Sequence, residues 1–582
     1  MLTTYFSEVI ETWFGGKNKR PFVEYAIKKL EENWSDKNVF VIEAPTGYGK
    51  STISATVALY SINEELKSII AFPLRTLLED QYNKFKSLVS EDILGKRYMH
   101  NPDSRYLIKP ITLTTVDTLS MTLFGIPPED MDKIVRSWDG TSTGSLGHYL
   151  FSWASVALSN IVLDEVHLLA DSTKSLSFLI ALMRICIDFD QRLILMSATI
   201  PDSLKDEIRE YVPDVEFIEF KQDIDPDFCK ERANKSYDII LEEVSNEQDK
   251  YELILKWIDE NENFSKVIVV FNTIADAINF YNLVKDKNAV LLHSRFSEKD
   301  REMKLQKLQE IRDKDEYVIV STQVIEAGVD ISSNLFITEI APANSLIQRL
   351  GRFLRYDERV GRIIIWYEGK DGKIKAERNR YKVYDSVLTQ KTLDWLMENS
   401  DIRNGKTIVN LNVHLPEAES KKGFKELLNY VYSKDCFRVD KRSIKDFERI
   451  FLHLEDASLK AVETFFKMEG SFVRDGLIVP ITSNDALEKL QRLDLSKFIR
   501  TYVVPISFET FESKAERVIG VMAEENDEVG YREVDDYLRD KLKDRYLKPR
   551  QVLRYIIRNN VIAFVVDAEY DNELGLRFDW RD

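Results

Sequence analysis

Two short segments, far apart in the chain, carry residues that can bind and hydrolyse a nucleoside triphosphate. The first is A-P-T-G-Y-G-K-S, residues 44–51, which follows an apolar stretch that predicts a strand. In such a loop, backbone N–H groups and a helix N-terminus hold phosphates, a lysine reaches the β- and γ-phosphates, and a hydroxyl ligates Mg²⁺. The pattern predicts Ser51 as a metal ligand and these nucleotide contacts: Thr46, Gly47, Gly49, Lys50, Ser51 and Thr52.

The second segment is Q-R-L-G-R-F-L-R, residues 348–355, which presents arginines at helical spacing. An arginine that stabilises the charge on a transferring γ-phosphoryl group contributes ~10³–10⁵ in rate. We predict Arg352 and Arg355 as finger candidates and Gln348 as a residue near the attacking water, although a charged surface helix would look similar in isolation. Together the two segments predict an ATP site completed across a cleft between two domains.

The segment I-V-L-D-E-V-H, residues 161–167, ends an apolar strand in adjacent carboxylates. Phosphoryl transfer needs a hard oxygen ligand for the metal and a group that polarises water. We therefore predict Asp164 as a Mg²⁺ ligand and Glu165 as the residue that activates the water. His167 is either a satisfied histidine behind the site or, as we favour, a coupling residue that acts through S-A-T, with Ser197 and Thr199.

A third strand-to-loop transition is S-T-Q-V-I-E-A-G-V-D-I, residues 321–331. Its loop contains glycine and ends in a carboxylate, which predicts nucleotide contacts from Gly328 and Asp330, the latter at the ribose. Thr322 is a candidate contact to a nucleic-acid phosphate. The alternative is an ordinary β-turn before a helix.

These segments lie in a regular alternation of short apolar runs and helix-length patterns, which predicts βαβ units of parallel sheets. We predict an α/β protein with two tandem domains, residues 1–222 and 223–395. The alternation then fades. A linker region with helical patterning is predicted over residues 396–470, followed by a small α+β accessory domain over residues 471–582.

Bulk properties exclude several classes of protein. The three cysteines are far apart and form no C-x-x-C, which excludes a zinc site of the usual spacing. The N-terminus has no secretory pattern and no apolar run suffices for a membrane span, so we expect a cytoplasmic protein without membrane contact. The net charge of −17 argues against indiscriminate nucleic-acid binding but leaves room for a basic channel.

The order of these motifs resembles that of superfamily 2 helicases, in particular the signature helicase of type I CRISPR–Cas interference. The resemblance covers about residues 20 to 365. It includes four less generic segments, A-F-P-L-R-T-L (71–77), T-L-T-T-V-D-T-L (112–119), V-V-F-N-T-I-A-D-A (269–277) and L-L-H-S-R-F-S-E-K-D-R (291–301).

The resemblance implies two RecA-like domains that use ATP and Mg²⁺ to move 3′→5′ along single-stranded DNA, recruited by a crRNA-guided surveillance complex. It also implies strand contacts from small hydroxyls, amides and arginines, side chains that suit the tracking of phosphates, though each singly could equally be structural. These contacts are Arg75, Thr114, Thr115, Asn272, Thr273, Ser294, Arg295 and Thr322. A general superfamily 2 RNA or repair helicase and a nucleotide-gated scaffold are the alternatives.

The chain departs from the family pattern in two places. Adenine-selective helicases carry a glutamine upstream of the phosphate loop, whereas R-P-F-V-E-Y-A, residues 20–26, contains none, which leaves selectivity for ATP open. Many family members also carry an N-terminal HD nuclease domain, and this sequence has no His-Asp dipeptide. It resembles the stand-alone helicase subunit of type I-A systems, so we expect no intrinsic nuclease and a separate HD nuclease partner.

A basic stretch lies near the C-terminus, over residues 539–558. It is interpreted either as a DNA exit or partner surface, or as a solvated helix paired with the preceding acids.

Overall fold

The structure is a computed structural model, and it describes most of the chain. The described ranges are 1–17, 20–98, 103–138, 148–245, 249–326, 328–375, 383–419, 421–452, 454–490, 495–525, 528–543 and 547–578. Within these ranges, no helix combines the length and the apolar character that crossing a membrane requires.

The first domain is a seven-stranded, fully parallel sheet with the order β3-β4-β2-β5-β6-β1-β7. Its central strands are buried on both faces, which explains why they are continuous apolar runs rather than alternating ones. The strands are β1 Val39–Glu43, β2 Lys67–Phe72, β3 Leu94–Arg97, β4 Ile111–Thr115, β5 Ser159–Leu163, β6 Leu193–Ser197 and β7 Glu216–Glu219. The helices are α1 Leu2–Phe14, α2 Pro21–Asn33, α3 Lys50–Asn63, α4 Arg75–Phe85, α5 Val116–Leu123, α6 Met131–Trp138, α7 His148–Ala157, α8 Thr173–Asp188 and α9 Asp202–Tyr211.

The second domain is a nine-stranded sheet of order β10-β11-β9-β12-β13-β8-β16-β15, with β14 paired to β13 off this path. The strands are β8 Ser236–Val244, β9 Lys266–Val270, β10 Ala289–Leu292, β11 Tyr317–Ser321, β12 Leu335–Glu339, β13 Val360–Lys370, β14 Lys373–Ile374, β15 Ser400–Arg403 and β16 Lys406–Val409. The helices are α10 Pro226–Ala233, α11 Lys250–Asp259, α12 Ile274–Val284, α13 Glu298–Arg312, α14 Ala343–Leu350 and α15 Ser386–Glu398.

This sheet extends past the predicted end of the second domain at residue 395. Strands β15 and β16 form an antiparallel hairpin, and β16 pairs with β8. Residues 400–409, which we predicted as part of the linker, therefore belong to the second sheet. A hairpin added to the sheet edge leaves no βαβ signal in the sequence, so the alternation fades before the domain ends.

The linker region that follows is mainly helical, and the C-terminal domain is α+β. The linker elements are β17 Leu411–Asn412, β18 Lys422–Gly423, α16 Phe424–Val431, α17 Lys441–Leu452 and α18 Leu454–Lys467. The C-terminal elements are β19 Ile478–Ser483, α19 Leu487–Leu490, α20 Leu495–Tyr502, β20 Val504–Ser507, α21 Phe508–Ser513, β21 Val518–Glu525, β22 Glu528–Glu533, α22 Asp536–Lys543, α23 Pro549–Arg558, β23 Val561–Val566, β24 Glu569–Asp571 and β25 Gly575–Arg577. Five of these strands form one sheet of order β20-β19-β23-β21-β22.

The basic stretch at residues 539–558 is distributed over two helices, α22 and α23, and residues 544–546 lie outside the described ranges. Part of it packs rather than faces solvent, because the Arg554 guanidinium carbon lies 5.3 Å from the ring centroid of Trp138. That contact ties the C-terminal domain to the first domain and leaves both interpretations of the remaining basic residues open.

The C-terminal domain contacts both RecA-like domains. On the first domain, the Arg474 guanidinium pairs with Asp117 at 2.6 Å. On the second domain, the hairpin β24–β25 packs beside β10, where the His293 Nε2 lies 3.0 Å from the Leu574 carbonyl oxygen. The three domains therefore form one connected assembly around the cleft between the two parallel sheets.

Candidate nucleotide-binding and hydrolysis site

The phosphate loop joins the carboxyl end of β1 to the first residue of α3. Gly47 and Gly49 have φ of 75° and 103°, a left-handed region that only glycine adopts at little cost. The loop thereby turns its backbone N–H groups toward the cleft, and α3 begins at Lys50. The buried Lys50 ammonium donates to the Ala44 carbonyl oxygen at 3.2 Å, which holds the charge inside the loop.

The two carboxylates after β5 differ in their electrostatic environment. Burial, together with the charge of the adjacent Glu165, raises the pKa of Asp164 to about 7. Burial also opposes ionisation of Glu165, but the positive charges of Lys50, Arg352 and Arg355 outweigh it and lower the Glu165 pKa. The positive charge of Lys50 near Asp164 does not offset burial and the charge of Glu165, whereas Glu165 is held ionised.

This arrangement fits a magnesium ion. The Ser51 hydroxyl and the Asp164 carboxylate line the same cleft, and both are hard oxygen donors of the kind that Mg²⁺ prefers. A divalent cation between them would supply the charge that Asp164 lacks. The donor set predicted from sequence is therefore chemically consistent.

Arg355 brings the second domain to the phosphate loop. Its Nη2 pairs with Asp330 Oδ1 at 3.2 Å, while its Nη1 is buried and has no hydrogen-bond partner within the described ranges. A Cβ built on Gly47 would lie 3.7 Å from the Arg355 Nε, so the guanidinium lies against the loop. One unsatisfied N–H group of Arg355 is thus available beside the position of a bound phosphate.

Arg352 lies in the same cleft but is held more tightly. It donates to the backbone carbonyls of Ile325 at 3.2 Å and Glu326 at 3.0 Å. Burial, and then the nearby charge of Arg355, lowers its pKa to about 9. The loop that follows β11 therefore fixes the direction of this guanidinium.

A chain of polar contacts connects the acidic strand end to the second domain. His167 Nδ1 lies 3.0 Å from Ser197 Oγ, and the Thr199 backbone N–H donates to the same oxygen at 3.3 Å. Thr199 Oγ1 in turn donates to Asn344 Oδ1 at 2.9 Å and accepts from Gln348 Nε2 at 3.0 Å. Burial lowers the pKa of His167 to about 4, so the imidazole in this chain is neutral.

The position of Gln348 differs from our prediction. We placed it near the attacking water, but the amide binds Thr199 and is only 3% exposed, away from the residues that line the cleft. Gln348 therefore belongs to the interdomain contact rather than to the water site. Thr52, predicted as a nucleotide contact, is likewise buried behind the loop in α3.

The other predicted ATP-site residues line one cleft of about 1200 Å³ between the two domains. They are Thr46, Gly47, Gly49, Lys50, Ser51, Asp164, Glu165, Gly328, Asp330, Arg352 and Arg355. Asp330 is 43% exposed and pairs with both Arg355 and Arg312, so it stands at the open edge of the cleft. A ribose contact from Asp330 stays a prediction.

The loop that contains Gly328 approaches the first domain too closely to leave room for a side chain. Gly328 has φ of 81°, and a Cβ at this position would lie 2.0 Å from the Thr76 Oγ1 of the first domain. Sequence reasoning singled out Gly328 for the nucleotide and missed Thr76. The segment A-F-P-L-R-T-L, which contains Thr76, was the available signal.

Arg349 is a second residue that sequence reasoning missed. Its side chain is fully buried and donates to Glu326, Thr338, the Glu339 carbonyl, Asn272 and Tyr384. It anchors α14 and the loop after β11 to each other, so it positions the arginines that face the cleft. Spacing alone does not distinguish Arg349 from Arg352, since all the arginines in this segment follow one helical pattern.

Three of the predicted strand-contact residues are bonded internally or buried, which changes their interpretation. The Thr114 hydroxyl donates to the Arg97 carbonyl at 2.6 Å, and the Asn272 side chain binds both the Ile340 carbonyl and Arg349. Thr322 is only 1% exposed. In this conformation these side chains are bonded to protein groups or buried, so a strand contact from them stays a prediction and would require them to change position.

The other five strand-contact candidates have mixed positions. Thr115 and Thr273 each cap a helix, α5 and α12, through their side-chain oxygens. Arg75 lies 3.6 Å from the Glu298 carboxylate of the second domain, whereas Ser294 is exposed and Arg295 half-buried. A strand contact from any of the five stays a prediction.

Comparison with known proteins agrees with this architecture. A DEAD/DEAH box helicase family model matches residues 20–207, and a model described as CRISPR-associated nuclease/helicase Cas3, C-terminal, matches residues 263–358. The CRISPR-associated nuclease/helicase Cas3 of Methanothermobacter thermautotrophicus is 27% identical over 390 residues, which are 60% of this chain and 42% of that protein. The CRISPR-associated helicase Cas3 of Thermoproteus tenax is 26% identical over 350 residues, 57% of this chain and 56% of that one.

Among solved structures, the crystal structure of T. fusca Cas3 with ADP has a similar fold. Its TM-score is 0.67 at 16% identity, and the match covers 99% of this chain and 72% of that one. Two tandem RecA-like domains around one phosphate loop, together with the DEAD/DEAH box match, are the architecture of a superfamily 2 helicase. Within that superfamily, the chain is similar to Cas3 helicases in sequence and in fold. It spans about half the length of the curated relatives it matches, so this similarity does not establish its substrates or partners.

Proposed function

We propose that this chain is an ATP-dependent motor that translocates 3′→5′ on single-stranded DNA. The observation that carries the proposal is the position of Arg355, a second-domain residue whose buried, unpaired N–H group lies against the phosphate loop of the first domain. A hydrolytic site that exists only when two domains meet couples turnover to their relative motion.

In this proposal each residue acts on the nucleotide from a defined side. Lys50 binds the β- and γ-phosphates, and the ionised Glu165 accepts a proton from the attacking water. Arg355 and Arg352 stabilise the charge that develops on the γ-phosphoryl group. Mg²⁺, held by Ser51 and Asp164 when bound, would neutralise charge on the β- and γ-oxygens.

The contacts of Thr199 with Asn344 and Gln348 supply the link to movement. They join the segment after β6 to α14, so they require the two domains to lie against each other. Loss of the γ-phosphate removes the partner of Arg355 and weakens closure. Repeated cycles would alternate the grip of the two domains on a strand.

The experiment that tests the proposal is steady-state ATP hydrolysis by the purified chain and its Glu165→Gln variant, with single-stranded DNA or RNA present. We expect stimulation by DNA and a loss of ~10²–10⁴ in kcat for the variant, the usual contribution of a general base. Nucleotide binding should persist, because the amide keeps the size of the carboxylate. Unchanged turnover in Glu165→Gln would contradict the mechanism, and a clear preference for RNA would favour a general superfamily 2 RNA helicase instead.

We further propose that the motor acts with a crRNA-guided surveillance complex and a separate HD nuclease. The similarity to Cas3 helicases and a similar fold in a solved structure of a CRISPR RNA-guided surveillance complex, pre-nicking, support this proposal. A pull-down with the surveillance complex and an HD-nuclease subunit tests both partners. Degradation of single-stranded DNA by the purified, metal-supplemented chain alone would contradict the division of labour.

A further inference from the structure

The cleft continues past the phosphate loop to an end lined by Arg20, Tyr48, Glu231 and Arg232. Here the Arg20 guanidinium carbon lies 5.5 Å from the ring centroid of Tyr48 and 5.5 Å from that of Phe228. Both rings are buried and pack edge to face with centroids 4.9 Å apart. Arg20 is therefore supported by a rigid aromatic floor at the mouth of the nucleotide site.

The floor is fixed to the phosphate loop itself. Tyr48 belongs to the loop. Its hydroxyl donates to the Asp225 carboxylate and accepts from the Phe22 backbone N–H at 3.1 Å. Because the ring cannot move independently of the loop, Arg20 keeps a defined position relative to bound phosphates. This end of the cleft is the part where the base of a nucleotide held by Lys50 would lie.

The side chains at this end lack the group that reads adenine. A glutamine amide pairs with adenine because it accepts from N6 and donates to N7, whereas a guanidinium has only donors and pairs with O6 and N7 of guanine. The segment R-P-F-V contains no amide, and Val23 instead packs its apolar side chain toward Gly49. Arg20 presents donors to the base and no acceptor for the adenine amino group.

The other polar groups do not restore a preference for adenine. Arg232 is held by the backbone carbonyls of Leu354 and Arg355, each at 3.1 Å. Glu231 is exposed, and its carboxylate can accept an N–H from either purine. Among these side chains, only Arg20 combines a fixed position with a directional preference.

We propose that Arg20 is a specificity-determining residue that makes this site accept guanosine triphosphate at least as well as adenosine triphosphate. The inference rests on the proposed function only in that the same cleft binds the nucleotide. It extends that function by naming the substrate class as purine nucleoside triphosphates recognised through N7 and O6.

The test is a comparison of kcat/KM for ATP, GTP and ITP in the full chain and in Arg20→Gln, with Mg²⁺ and single-stranded DNA. We expect the ratio of kcat/KM for GTP to kcat/KM for ATP to be one or more in the unmodified chain. In Arg20→Gln this ratio should fall by about 10-fold or more, because an amide pairs with adenine whereas the guanidinium pairs with guanine. ITP keeps O6 and N7 but lacks the 2-amino group, so it should behave like GTP. The matched control is Lys28→Gln on α2, the helix that begins directly after Arg20, where the side chain is 57% exposed and pairs with Glu24.

Each outcome decides the proposal. A 100-fold preference for ATP in the unmodified chain, or an unchanged ratio in Arg20→Gln, would overturn it, as would ITP behaving like ATP. Thermal unfolding of Arg20→Gln shows whether the variant is folded, and the GTP-to-ATP ratio of the unmodified chain tests the proposal without any variant. If no nucleotide is hydrolysed, the proposed motor function fails, while the binding ratio of fluorescent GTP and ATP analogues still tests Arg20.

Discussion

Two arginines six positions apart on one segment have opposite roles. Arg355 contacts the phosphate loop and keeps an unpaired N–H group, whereas Arg349 is fully buried and all its donors face protein groups. Arg349 pairs with Glu326 at 2.9 Å, and removing one member of a buried ion pair leaves the other charge uncompensated. A substitution of Arg355 and a substitution of Arg349 should therefore have separate effects, the first on ATP hydrolysis and the second on the stability of the fold.

We expect Arg355→Ala to lower kcat by ~10³-fold or more with little change in stability, because a finger arginine acts on the transition state. Arg349→Ala should instead destabilise the fold by about 3–5 kcal/mol. Steady-state ATP hydrolysis and denaturant unfolding of both variants measure the two effects. The assignment is wrong if Arg349→Ala is as stable as the unmodified chain, or if Arg355→Ala loses stability without losing turnover.

At the scale of elements, the loop after β11 must approach α4 without a side chain at Gly328. Gly405, in the turn between β15 and β16, is a matched control, because its φ of 74° resembles the 81° of Gly328 but no atom lies within 4 Å of its Cβ position. The two glycines share the same backbone strain on substitution and differ only in the contact between domains.

We expect Gly405→Ala to cost about 1–2 kcal/mol of stability and to leave ATP turnover unchanged. Gly328→Ala should cost a similar amount of stability and also lower kcat by about 10-fold or more, since the added Cβ would keep Thr76 and the cleft apart. Hydrolysis assays and thermal unfolding of the pair test this. Equal turnover in the two variants would show that the close approach is not needed for closure.

The end of β1 is also tied to the segment after β6. The Glu43 carboxylate accepts from the Ile200 backbone N–H at 3.1 Å and pairs with the buried Lys205 at 2.6 Å. Glu219 pairs with the same lysine at 2.9 Å but does not touch Ile200. Glu43 therefore holds S-A-T in register with the phosphate loop, and Glu219 only balances charge.

We expect Glu43→Ala to reduce DNA-stimulated kcat by about 10-fold or more, because it frees the segment that carries Thr199. Glu219→Ala removes a partner of the same lysine and should lower stability while leaving the ratio of stimulated to basal turnover unchanged. That ratio, measured for both variants, is the discriminating quantity. A common loss of stability with no change in the ratio would reduce Glu43 to a structural residue.

At the scale of the whole molecule, the C-terminal hairpin is attached through a neutral histidine. His293 receives the Arg295 backbone N–H on Nδ1 at 3.1 Å, so its Nε2 carries the proton that reaches the Leu574 carbonyl. Burial, and then the charges of Arg295, Lys304 and Arg301, lowers its pKa well below the ordinary value. The ring is therefore uncharged in the folded chain, and a proton on Nδ1 would break its contact with the Arg295 N–H.

This predicts a loss of stability in acid. The unfolded chain binds a proton at His293 as pH falls below about 6.5, while the folded chain does not, so stability is full above that pH and declines below it. We expect the difference in free energy of unfolding between the unmodified chain and His293→Gln to change by about 2 kcal/mol between pH 7 and pH 5. Thermal unfolding of both proteins across this range gives the slopes. Equal pH dependence of stability in the two proteins would mean that His293 is not held neutral in the folded chain.

Local patterns predicted much of the fold and the contents of the site. The glycines of the phosphate loop, the acidic end of β5 and the apolar parallel strands are set by short-range geometry and continuous burial, and all are found where the sequence placed them. The order of the motifs also predicted two RecA-like domains. These properties depend on residues close in sequence, so the sequence by itself determined them.

Only the tertiary structure decided which members of a motif face the cleft. Gln348 binds Thr199 instead of approaching the water position, Arg349 is buried, and the second sheet continues through β16. Each of these outcomes depends on a partner far away in the chain. A helical or strand pattern indicates which residues share a face, but the packing of distant elements determines what that face contacts. In this protein, that packing determines which of the predicted residues line the cleft and which are buried behind it.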